Sequence, residues 1–244
     1  MIEGFGWSTA LVLLAASALL IAPLAYGLAG KPVGHDGAER QSMREAFETA
    51  LRVPSFWLLN LGFLVCGFHL SFVGFHLPAF LADKGFEPWL GTTALTVVGI
   101  ANVVGCYVCG VLGGRYAKKN VLSLLYLARA AAFLLFIALP ITETTVLVFS
   151  AVIGLLWLGT VPLTSGLVAC IFGTRYMSML FGIVFLGHQI GGFLGAWLGG
   201  AAYDMFRSYE AMWWLSIALG LISAALHWPI AERPTAEAAE PVAD

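Results

Sequence analysis

Seven runs of about twenty mostly apolar residues follow one another along this chain, and each is long enough to cross a bilayer as a helix. They fall at about 6–29, 55–81, 90–113, 120–139, 145–170, 178–202 and 210–230. Apolar residues make up 60% of the 244 and charged residues only 11%. A soluble domain holds about 45–50% apolar and about 25% charged residues, so the surplus cannot be hidden in one core and calls for lipid. The expected fold class is an all-α membrane protein with seven transmembrane helices. The 28 glycines suit close helix packing in a bilayer better than they suit soluble helices. The first run is read as a retained span, because Glu3 and no Lys or Arg precedes it and it is too long for a signal-peptide core.

Cationic side chains set the expected orientation. With the N-terminus outside, the cytoplasmic segments hold Lys31, Arg40, Arg44, Arg52, Arg115, Lys118, Lys119, Arg175 and Arg233, against only Lys84 and Arg207 outside. A plasma-membrane protein with a cytoplasmic C-terminus is therefore expected. Trp7, Trp57, Trp89, Trp213 and Trp228 fall near the expected interfaces. Four segments result: a first transmembrane helix over 1–30, a cytoplasmic linker over 31–54, a six-helix bundle over 55–230, and a disordered cytoplasmic tail over 231–244. In the linker, Ser42 and Glu45 form a capping box ahead of a helix with Met43, Phe47, Ala50 and Leu51 on one face. A helix along the membrane surface and a solvated linker helix both fit that pattern.

Several chemistries are excluded or weak. No basic stripe with interleaved aromatics marks a nucleic-acid partner. Cys66, Cys106, Cys109 and Cys170 all lie in apolar runs and read as small hydrophobes, and Cys106-x-x-Cys109 lacks the further ligands a metal needs. No nucleophile–base set or phosphate loop appears at usable spacing, so no enzyme and no cofactor are expected.

The segment Gly110-Val-Leu-Gly-Gly-Arg115-Tyr-Ala-Lys118-Lys119 resembles the major facilitator signature Gly-x-x-x-Asp-Arg-x-Gly-Arg-Arg, in register throughout. Gly110, Arg115, Lys118 and Lys119 match, whereas Gly114 replaces the acidic residue and Ala117 the second Gly. Pro54-Ser-Phe-Trp57-Leu-Leu and the run from Gly173 through His188-Gln189 to Gly192 resemble the monocarboxylate and oxalate–formate branch. The resemblance implies that the seven spans are helices 6–12 of the major facilitator fold. It further implies a gating loop at Gly110, Arg115, Lys118 and Lys119. The six spans after the linker would form two inverted three-helix repeats, 55–139 and 145–230.

Polar groups inside the spans are the candidates for substrate binding. His188 and Gln189 sit near the middle of the sixth span, on a helix that the resemblance places along the substrate cavity. An interhelical hydrogen bond is the other reading of the pair. Gly191, Gly195 and Gly199 continue the His188 face, and Gly192, Ala196 and Gly200 that of Gln189. Asn102 reads as a bridge between helices or as a ligand contact. His69 and His76 share a face, with His69 near the midplane; a histidine could carry a coupling proton. Arg129 is the one charge deep in a span, suited to an anionic substrate or to backbone carbonyls. Pro78, Pro140 and Pro162 mark helix ends or kinks.

Together these features imply secondary active transport of a small solute, such as a monocarboxylate, by alternating access, with a proton as the candidate coupling ion. The chain reads as half of a transporter or a truncated one, partnered in the bilayer by a missing N-terminal half or a second copy of itself. A seven-helix ligand-binding receptor or a non-transporting subunit is the alternative. A retinal protein is excluded, since Lys31, Lys84, Lys118 and Lys119 all lie in loops or at helix ends.

Overall fold

The computed structural model describes residues 2–19 and 42–235. The chain divides into two units, Met1–Arg40 and Gln41–Asp244. Among the described residues of the first, a single helix, α1 (Ile2–Leu19), is present. The rest of the span expected over 6–29 lies outside the described residues, as does the linker before Ser42.

Eight helices follow in the second unit: α2 (Met43–Arg52), α3 (Pro54–Asp83), α4 (Pro88–Arg115), α5 (Lys118–Ala138), α6 (Glu143–Leu155), α7 (Thr160–Phe172), α8 (Met177–Phe206) and α9 (Glu210–His227). With α6 and α7 taken as one crossing, six described segments are long and apolar enough to span a membrane. The protein is thus an all-helical, multi-pass integral membrane protein.

The linker helix α2 opens on the capping box: Ser42 Oγ accepts from the Glu45 N–H at 3.2 Å, and Glu45 accepts from the Ser42 N–H at 2.7 Å. Its inward face centres on Ala46 and Ala50, which are buried, while Met43 is 62% exposed. Small side chains let α2 approach its neighbours where a methionine would hold it off. Trp57 Nε1 donates to the Leu51 carbonyl at 2.9 Å and fixes the elbow into α3.

Within the bundle, α3 packs on α8, α4 on α6, and α5 on α9. Exchanging the two helix triplets maps this pairing onto itself. The α3–α8 seam is the closest, because small residues bring backbone onto backbone. A Cβ on Gly67 would overlap the His188 carbonyl, and Cβ atoms on Gly191 and Gly195 would overlap those of Leu64 and Phe68. His76, expected near the outer interface, donates from Nε2 to the Ala196 carbonyl at 2.8 Å and lies under Gly199.

Two apolar clusters stack along the membrane normal. One, toward the Tyr209 end, gathers Phe72, Phe80, Phe136 and Phe149 around Trp213. Trp213 is only 2% exposed, so it is a core residue and not the interfacial ring its position near a helix end suggests. The other cluster, toward the Lys118 end, includes Phe56, Leu122, Leu167, Ile171 and Ile230.

Two further expectations are corrected. The run at 145–170 is not one helix but two, interrupted over 156–159. Pro162 has no N–H for the Leu158 carbonyl, and its ring would collide with that carbonyl in a continuous helix, so the chain leaves helical geometry just before it. Residues 231–235 do not begin a disordered tail. The Ala231 N–H donates to Ser55 Oγ at 3.0 Å and the Thr235 N–H to the Ile171 carbonyl at 2.9 Å. Residues 236–244 lie outside the described ones.

The seam yields a prediction. Gly67→Ala should lower the thermal unfolding midpoint, at a cost of about 1–3 kcal/mol for overpacking. Gly200→Ala should not, since a Cβ there meets nothing within 4 Å. Unfolding of the two variants in detergent, followed by tryptophan fluorescence, makes the comparison.

Candidate functional site

The level where the two apolar clusters meet is polar, and it coincides with the broken helix. In a continuous helix the Leu156 and Trp157 carbonyls would accept from residues 160 and 161. The break leaves both without those donors, in a layer with no bulk water. Arg129 of α5 takes their place. Its Nε donates to the Leu156 carbonyl at 2.9 Å, and Nη2 donates to the carbonyls of both Leu156 and Trp157. The guanidinium is 1% exposed and lies over the Tyr126 ring, 5.2 Å from its centroid.

Burying a lone cation is costly unless something negative receives it. Here the acceptor is the C-terminal end of α6, where unpaired carbonyls carry the negative pole of the helix. A planar, forked guanidinium reaches two successive carbonyls at once, which a lysine ammonium does less well.

Asn102 of α4 holds the same segment from another side: its Oδ1 accepts from the Leu158 N–H at 2.9 Å. A third helix joins through Cys66 of α3. Its sulfur lies 3.2 Å from Thr160 Oγ1 and receives Arg129 Nη1 at 3.4 Å. Two transmembrane helices therefore clamp the four-residue interruption, and a third holds the first residue of α7 beside it.

His188 of α8 borders this cluster. Its ring stacks on Phe185 at 5.1 Å and lies 4.8 Å from Phe63, while Nδ1 donates to Gln189 Oε1 at 3.2 Å. The opposite nitrogen, Nε2, is buried and has no hydrogen-bond partner. Gln189 itself is exposed. His69 points elsewhere: its Nε2 donates to the Ser216 carbonyl of α9 at 2.9 Å, against Phe133.

The structure thus brings Arg129 and Asn102 together at the helix break, sets His188 and Gln189 on the neighbouring seam, and keeps His69 in the α3–α9 contact. Two side chains that the sequence reading passed over share the His188–Gln189 seam. Asn60 lies against Gly187 and donates to the Phe56 carbonyl at 3.0 Å, and Ser71 lies against Gly192. Thr160 was given no site role of its own, and Cys66 was read only as a small hydrophobe. A threonine beside a proline in an apolar run was a signal for the first, whereas a lone intramembrane cysteine gives none.

The expected gating loop lies at the Lys118 end. Gly113 to Lys119, Cys170 and Ala231 to Arg233 line a cleft of about 510 Å³. No group of three or more His, Cys, Asp or Glu able to hold a metal occurs among the described residues.

Six apolar crossings, one of them broken and clamped by polar side chains, define a polytopic helical membrane protein. The chain belongs to the Major Facilitator Superfamily, whose model matches residues 1–177. It is similar to the uncharacterized MFS-type transporter YcxA of Bacillus subtilis (strain 168), 25% identical over 222 residues, covering 84% of this chain and 52% of that protein. It is 27% identical over 221 residues to monocarboxylate transporter 13 of Bos taurus, covering 86% of this chain and 50% of that one. To the uncharacterized MFS-type transporter YhjX of Escherichia coli (strain K12) it is 24% identical over 143 residues, covering 58% and 36%. The chain spans about half the length of the first and second of these relatives and less of the third.

The clamp makes a direct prediction. In Arg129→Ala, backbone hydrogen exchange over 156–159 should accelerate by about tenfold or more, since two buried carbonyls lose a charged donor. Asn102→Ala should accelerate the same amides. Gln189→Ala, which touches neither, should leave them at the parental rate in nanodisc exchange measurements.

Proposed function

We propose that the chain works in secondary active transport of a small organic anion, such as a monocarboxylate, by alternating access. The observation that carries this reading is the exposed Gln189 on α8. An amide on a lipid-facing helix is expensive, and its neighbours Ile190 and Phe193 are exposed apolar side chains at 49% and 65%. A second bundle laid over this face would turn Gln189 from a cost into a ligand at a water-filled midplane cavity. Ile100, Val103 and Tyr107 of α4, each at least 67% exposed, extend the same demand for cover.

That second bundle is an N-terminal half or another copy of this chain. The α3–α8, α4–α6 and α5–α9 pairing supports two inverted three-helix repeats, the arrangement around which such carriers rock. α1 is the seventh crossing, with the N-terminus outside and the Lys118 end in the cytoplasm. The cation distribution supports this orientation, and the plasma membrane is the proposed location. Gln189, with Asn60 and Ser71 along the seam, faces the solute. His188 stands behind Gln189, and its unpartnered Nε2 suits a coupling proton. Arg129 and Asn102 act one step back, by holding the helix break, and His69 by holding α9. Monocarboxylate as the solute class rests on the printed name of the bovine relative and on the resemblance in the α3 and α8 sequences.

Proteoliposome uptake tests the reading. A radiolabelled short-chain monocarboxylate should enter under an imposed pH gradient, with the chain alone or with a co-expressed N-terminal segment that supplies the five preceding helices. Gln189→Ala should lower uptake about tenfold, the scale of one lost polar contact. Binding of the solute without flux in either arrangement would instead favour a receptor.

A further inference from the structure

The signature loop of this chain lacks its acidic residue: Gly114 stands where the pattern has an aspartate. The loop is nevertheless not without a carboxylate. Glu232, beyond the end of α9, reaches the start of α5. Its Oε1 accepts from the Lys118 N–H at 3.1 Å and its Oε2 from the Lys119 N–H at 3.2 Å. The Lys118 ammonium lies 3.3 Å from Oε1 as well.

α5 needs this partner. Its N-cap, Ala117, has no side chain to cap with, so the first amides of the helix lack an intrahelical acceptor. Two lysines also sit in its first turn, the wrong sign for the positive pole of a helix. A carboxylate that receives both amides and one ammonium answers all three at once.

The rest of the segment is tied down on both sides of Glu232. Lys119 Nζ donates to the Trp228 carbonyl at 3.2 Å, and Ile230 is fully buried. Ala231 binds Ser55 at the start of α3, and Thr235 binds Ile171 at the end of α7. Residues 228–235 thereby join the ends of α3, α5, α7 and α9.

We propose that Glu232 is the positioning carboxylate of the signature loop, supplied from beyond α9 in place of the residue that Gly114 replaces, and that 228–235 is a strap closing the Lys118 end. Release of the strap frees α5 and α7 to part at this end, and its return fixes them. The gating role rests on the transport reading; the strap itself rests on the hydrogen bonds alone.

Cys170 reports on the strap, because it lines the same cleft as Ala231, Glu232 and Arg233 and is a half-buried free thiol. Cys66 and Cys109 are buried, and Cys106 lies within α4, inside the membrane. The full chain in lipid nanodiscs, with both faces open to solvent, is treated with a charged, membrane-impermeant maleimide. Modification of Cys170 is followed by peptide mass spectrometry.

Glu232→Ala should raise the Cys170 rate about tenfold, as expected from losing charge-assisted hydrogen bonds that hold a segment closed. Adding Gly114→Asp to that variant should bring the rate back to within about threefold of the parent, since it returns a carboxylate to the loop. A Cβ at position 114 meets nothing within 4 Å, so the aspartate fits. If Glu232→Ala does not fold, Glu232→Gln keeps the side-chain volume and carries the same comparison. A parental rate in the Glu232 variant, or no recovery with Gly114→Asp, overturns the proposal. The labelling needs no flux, so its outcome is independent of the uptake experiment.

Discussion

A transmembrane helix that stops at mid-depth leaves carbonyls with nowhere to turn, and the bundle is arranged around the side chains that receive them. Arg129 is the chief of these. Among the described residues no Asp or Glu pairs with its guanidinium; the pole of α6 and the face of Tyr126 receive it instead. The cost of burying the cation and the cost of breaking the helix are each large alone. Together they offset one another, so removing either partner exposes the full cost of the other.

The apolar clusters on either side give this polar layer its rigidity. Trp213 and its five phenylalanine neighbours hold the Tyr209 end, and Phe56, Leu122 and Ile230 hold the Lys118 end. Between them, interactions cross from α3, α4 and α5 to one short segment. A rigid clamp of this kind fits a carrier, in which a midplane site stays assembled while the ends of the helices open and close.

Much of this was legible in the sequence, for reasons that can be stated residue by residue. Spans were readable because apolar length is a direct image of bilayer thickness, and the ends observed for α3, α4 and α5 differ by two residues or fewer. Gly191 and Gly195 announced a close seam through their spacing alone. Pro162 announced a bend, but not that it would become a four-residue interruption, because that depends on Arg129 arriving from another helix. The sequence reading left Arg129 between an anion and backbone carbonyls, and composition cannot decide between them. Trp213 looked interfacial because its distance from a helix end is a sequence property, whereas its burial comes from rings on three other helices. Glu232 was hidden by its setting, a stretch of Ala, Glu and Pro with no apolar face, and only the folded chain brings it 114 residues back to Lys118.

The claim on which the account turns is that Arg129 and Asn102 hold one and the same interruption. A double-mutant cycle on Arg129→Met and Asn102→Ala, with unfolding free energies measured in bilayer-mimetic micelles, addresses it most directly. Two side chains gripping one segment should show a coupling of about 1 kcal/mol or more. Costs that add to within about 0.3 kcal/mol would mean that the two act separately, and the clamp would not exist as described.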